Sequence, residues 1–153
     1  MTRTTKRKEN ENISPYNASF PQDMHLMHNY FGVHEALMEL PPETLKAYLK
    51  FRIDFLQEEL DEIKKAFIEK DAEEVVDGLI DLTVVAVGTL DTFDVDAATA
   101  WHEVFNANMQ KKPGVNLSRP NEFGLPDLIK PIDWVKPSHE GNHGILPTIL
   151  TAY

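Results

Sequence analysis

Seven apolar residues, Leu45, Leu49, Ile53, Leu56, Leu60, Ile63 and Phe67, recur at spacings of four, four, three, four, three and four. An α-helix brings residues so spaced onto one face, whereas a strand would need strict alternation. The stripe predicts an amphipathic helix that opens at Glu43 and Thr44, after Pro41-Pro42, and reaches about Lys70. Asp71 then offers an N-cap to a second helix over 72–93, with Glu73 and Glu74 in its first turn, where the helix dipole favours them. The middle of that helix, 79–90, is apolar on every side apart from Asp81 and small residues, so it is expected to be the buried central one. Asp96 caps a further helix over 97–112, stopped by Pro113-Gly114, and Asp23 caps one over 24–40. Strand signals are scarce before residue 113. The expectation is an all-α fold with a four-helix core, in which Trp101 and Phe105 are core residues.

The chain has 153 residues, about one domain, and contains no cysteine, which excludes disulfides, thiolate metal sites and thiol nucleophiles. Its net charge of -10 argues against a generic nucleic-acid or anionic-membrane binder, because both need a basic surface. No apolar stretch is long enough to span a bilayer and no apolar segment follows the basic start, so a soluble cytoplasmic protein is expected. Residues 1–22 read as a flexible arm, 23–112 as the helical domain and 113–153 as an extended tail. That tail carries six of the ten prolines and four of the seven glycines, so it is expected to wrap a surface, with Phe123, Leu125, Leu128, Ile132 and Trp134 as anchors.

The acid is concentrated: residues 52–81 alone carry -7 of the -10. A solvated helix normally mixes both signs, so such a concentration asks for a cation. Glu59 and Glu62 are i,i+3 neighbours that border the apolar stripe, with Glu58 further out. Glu74, Asp77 and Asp81 share one side of the next helix. Asp81 sits inside an apolar run, and a buried carboxylate must be paired, protonated or bound to a metal. Two such helices packed antiparallel would gather four to six carboxylates, a donor set suited to Mg²⁺ or Mn²⁺.

Residues 52–62 (RIDFLQEELDE), 77–89 (DGLIDLTVVAVGT) and 103–111 (EVFNANMQK) together resemble the all-α nucleoside triphosphate pyrophosphohydrolases, the MazG-like and phosphoribosyl-ATP pyrophosphohydrolase-like proteins. The resemblance extends from Met27 to about Lys112, and the tail, with DLIKP at 127–131 and Trp134, is similar to phage-borne members. It implies Mg²⁺-dependent hydrolysis of a nucleoside triphosphate to the monophosphate and pyrophosphate, by attack of a metal-activated water on the α-phosphorus. It implies Glu59 and Glu62 as metal ligands and Glu58 as ligand or water-orienting base. The second motif departs from the family's ExxD, since Gly78 stands three before Asp81. Either Asp77 shares the metal of Asp81, or Glu74 and Asp77 form the pair. Asn108 and Lys111, assisted by Lys112, are implied to contact the phosphates, and the family's dimers and tetramers imply a homo-oligomer. If the chain is phage-encoded, its compartment is the host cytoplasm.

Arg52 is expected to be a structural cation paired with a carboxylate. Histidines pair at His25 with His28 and His139 with His143, and no Cys or carboxylate is expected nearby to complete a zinc set, so surface or nucleotide-pocket histidines are expected. Two other functions compete. A ferritin-like di-iron bundle needs Glu-x-x-His on two helices, and that spacing occurs here only at Glu140 and His143, in the tail. The alternative is a non-catalytic acidic helical adaptor whose tail clasps a partner.

Overall fold

The computed structural model describes residues 19–119 and 122–153, so most of the expected N-terminal arm lies outside the described residues. The described residues are all-α apart from one short hairpin. In order it forms α1 (Phe20–Tyr30), α2 (Val33–Met38), α3 (Pro42–Glu69), α4 (Ala72–Thr92), α5 (Ala97–Met109), β1 (Lys112–Gly114), β2 (Asp127–Ile129) and α6 (Leu146–Leu150).

The predicted helix over 24–40 is two helices, and the first begins earlier than Asp23. Ser19 caps α1 by accepting the Gln22 N–H, and Pro21 occupies the first turn, where a missing N–H costs nothing. Gly32, at φ 69, takes the left-handed conformation that breaks the chain between α1 and α2. α3 and α4 follow the predicted bounds closely. Lys70, at φ 60, closes α3, and the Asp71 side chain accepts the Glu73 and Glu74 N–H groups to open α4. The two helices form an antiparallel hairpin, and α1 packs on α4. Gly78 brings the hairpin close, since a Cβ there would lie 2.7 Å from Ile63 Cγ1.

The face that α3 turns inward is rotated from the predicted stripe. Leu45, Glu59 and Ala66 are buried and Arg52, Phe55 and Ile63 half-buried, whereas Ile53, Leu60 and Phe67 are exposed. α4 is not enclosed either: Leu79 and Ile80 are 50% and 52% exposed, and Asp81 between them and Leu82 is exposed too. No element among the described residues covers that face. Trp101, at 70%, and Phe105 are likewise exposed on α5 rather than in the core. α5 stops at Met109, three residues before the predicted end, because Lys112–Gly114 enters an antiparallel pair with Asp127–Ile129.

The core lies where the start of α3 meets the end of α4. Leu45, Phe93 and Ile149 are its buried centre, with Leu37, Tyr48, Leu49, Ile145 and Leu146 packed around them. The tail therefore anchors through α6 and through Trp134, whose indole N–H donates to the Ala107 carbonyl at 2.7 Å. Phe123, Leu125, Leu128 and Ile132, the other expected anchors, are exposed. Their apolar character predicted burial, but the hairpin that carries Leu128 stands on the surface.

Candidate active site

Glu59 is the buried carboxylate of the chain's acidic stretch, 7% exposed, and its Oε2 has no hydrogen-bond partner among the described residues. Burial pushes its carboxyl above the ordinary range, and the charges of Glu62, Asp81, Glu58 and Asp77 push it further. Carboxylates of both α3 and α4 are thus near enough to act on Glu59. The close approach at Gly78 and Ile63 lies beside them in sequence on both helices. Glu58, Glu62, Asp77 and Asp81 are themselves exposed. The burial expected of Asp81 is found at Glu59 instead: Asp81 is exposed on α4, whereas Glu59 is buried. Glu74 is not among the groups that act on Glu59 and sits in the first turn of α4, its N–H held by Asp71.

Among the described residues Arg52 pairs with no carboxylate. Its guanidinium donates to Thr89 Oγ1 at 3.0 Å and to the Val85 carbonyl at 2.9 Å, and lies over the Phe55 ring. It ties α3 to α4 about two turns from Glu59. Asn108, Lys111 and Lys112 gather elsewhere, where α5 gives way to β1. Asn108 and Lys111 are half-buried and Lys112 exposed. The Lys111 ammonium lies 5.4 Å from the Trp134 ring centroid and that of Lys130 4.5 Å, so the tail is clipped to the end of α5 beside these cations.

Residues 34–108 match the family model of phosphoribosyl-ATP pyrophosphohydrolase, a span that runs from α2 to the end of α5 and contains every carboxylate named above. These helices belong to the all-α pyrophosphohydrolase superfamily. No protein of curated function matches the chain. Membership gives the pyrophosphohydrolase domain a nucleotide substrate and a hydrolytic reaction at an acid anhydride, in a family that generally depends on a divalent metal. The orphaned Oε2 of Glu59, with four other carboxylates acting on it, fits such a metal. No helix among the described residues is long and apolar enough to cross a membrane.

A polar cluster that sequence spacing missed joins α1 to the matched span. At the far end of α4, Asp91 meets His25 Nδ1 at 2.9 Å, His28 Nδ1 at 2.7 Å and His34 Nε2 at 2.9 Å. Burial works against the Asp91 charge, but hydrogen bonds from His28 and His25 and the nearby His34 outweigh it and hold the carboxyl below its ordinary range. The expectation that no carboxylate completes the His25 and His28 pair fails because Asp91 arrives from more than 60 residues away. Two adjoining cavities of about 700 and 550 Å³ share His25, Asp91, Val95 and Asp96 in their walls.

Proposed function

We propose that the chain hydrolyses nucleoside triphosphates, ribo or deoxy, to the monophosphate and pyrophosphate with Mg²⁺, for which Mn²⁺ can substitute. The observation that carries this reading is the buried, unpartnered Glu59 with four other carboxylates acting on it. Glu59, Glu62, Asp77 and Asp81 would hold the metal. Their mutual repulsion is a cost that a divalent cation reverses. Bound Mg²⁺ supplies Lewis-acid neutralisation of the phosphate charge. Glu58, exposed beside Glu59, orients the attacking water and takes its proton. Asn108, Lys111 and Lys112 contact the phosphates, and the grip of Trp134 on Ala107 and Lys111 holds these residues in place.

The exposed apolar residues of α3, α4 and α5 support a homodimer or homotetramer, in which the face carrying Leu79, Ile80 and Asp81 would be covered. In this reading residues 23–112 are the catalytic unit, 113–153 its tail, and the protein works in a cytoplasm, the host's if phage-encoded. The test is pyrophosphate release by the purified chain with Mg²⁺ over a panel of nucleoside triphosphates. Release from at least one, abolished by EDTA, is expected; none from any would overturn the reading.

A further inference from the structure

We infer that His25, His34 and Asp91 form a second metal site, for a transition cation of the zinc type, that clasps the N-terminal helices to the hairpin. The donor atoms come from three elements: His25 from α1, His34 from α2 and Asp91 from α4. One ligand atom from each lies within 4.8 Å of the other two, the span of donors around a single ion. Asp91 is ten residues beyond Asp81 on α4, about 15 Å along the helix, so this centre is separate from the carboxylate site.

Hydrogen bonding alone leaves the cluster incomplete. His28 is satisfied: it is buried and its Nδ1–H donates to Asp91 Oδ2. His34 Nε2 is 2.9 Å from that oxygen but is not aligned for a hydrogen bond, and it is sealed from solvent without any other partner among the described residues. A buried imidazole nitrogen with a free position, aimed at a carboxylate that already serves two other histidines, is what a shared cation would resolve. In the metal-free chain the His25 Nδ1–H donates to Asp91 Oδ1; the cation takes the Nδ1 lone pair as the ring proton moves to Nε2, so the imidazole stays neutral. His28 is then the positioning residue, holding the carboxylate that ligates, as outer hydrogen bonds do at histidine-rich sites.

The donor chemistry selects the ion. Two imidazole nitrogens and one carboxylate oxygen suit Zn²⁺, while Mg²⁺ prefers oxygen alone and suits the site around Glu59. The cavities that meet at His25 and Asp91 leave room for a water as the fourth ligand. Because its donors are spread over α1, α2 and α4, the ion acts as a structural clasp across the Gly32 break.

The test uses the full-length, metal-stripped protein and does not depend on hydrolysis. Calorimetric titration with ZnCl₂ should give one equivalent at this site and raise the melting temperature, and Co²⁺ should give the visible absorption of a four-coordinate N/O centre. His25→Gln and His34→Gln should each weaken Zn²⁺ binding about 100-fold or more, and His28→Gln about 10–100-fold with the Co²⁺ spectrum retained. Asp77→Asn with Glu59→Gln should leave it unchanged. His25 is on the surface, so its variant decides the matter even if the others fold poorly. No Zn²⁺ bound, full binding in His25→Gln, or loss of binding in the Asp77/Glu59 variant would each overturn the inference.

Discussion

Glu59 is held at a cost to the fold. Its carboxyl is pushed above the ordinary range, so the folded chain binds that proton more tightly than the unfolded chain does. Stability therefore carries no penalty from Glu59 at acid pH, and the penalty grows as pH rises from about 4.3 through the raised value. In EDTA, Glu59→Gln should raise the melting temperature at pH 8 and have little effect near pH 4, as thermal scans across that range would show. A shift of about 2–4 °C corresponds to 1 kcal/mol for a chain of this size. The same variant should lower pyrophosphate release on the order of 100-fold or more, because in the proposed reading Glu59 is a metal ligand. A destabilised Glu59→Gln at pH 8 would contradict the repulsion argument. The identity of this residue was only half legible in the sequence. Its place beside the stripe was readable from helical period, but its burial was not, since Asp81 lies in the more apolar stretch and attracted the expectation instead.

At the scale of elements, Gly78 decides how near α4 comes to α3. Gly78→Ala gains about 1 kcal/mol in helix propensity and meets Ile63 Cγ1 at 2.7 Å, an overpacking cost of about 1–3 kcal/mol. The second effect should win. Urea denaturation is expected to show net destabilisation, and the double variant with Ile63→Ala should be more stable than the sum of the two single changes. Two of the three expected caps were legible: Asp71 and Asp96 stand where the N–H groups they accept require them, whereas Asp23 lies inside α1. The inward face of α3 was less legible. Periodicity identified Leu45, Leu56 and Ile63 as one apolar face, but Arg52 and Glu59 occupy that face as well, and Ile53, Leu60 and Phe67 fall outside it. Hydrophobic spacing reports that a residue wants cover; it does not say which surface provides it.

For the whole molecule, those uncovered residues carry a prediction. Sedimentation equilibrium should find a dimer or tetramer, and Ile80→Glu, on the exposed face of α4, should shift it towards the monomer. A monomeric parent protein would refute this. A second prediction concerns the tail, whose Ile149 is 1% exposed against Leu45 and Phe93. Ile149→Ala should cost about 2–5 kcal/mol in urea denaturation, as much as a change in α3 or α4. Proline and glycine content made the tail read as a wrapping segment. It could not reveal that the decisive contacts come from its last short helix, because those residues are ordinary apolar ones with no pattern of their own.

The position of Ile149 also bears on how the protein is made. Phe93 leaves the ribosome 56 residues before its partner Ile149, and at about 5–20 residues per second that gap lasts about 3–11 s. During this interval the two long helices can pair, yet the apolar end of the hairpin has nothing to close it. The nascent chain is therefore open to proteases and to misassembly at one defined place, and translation speed through 94–149 sets how long.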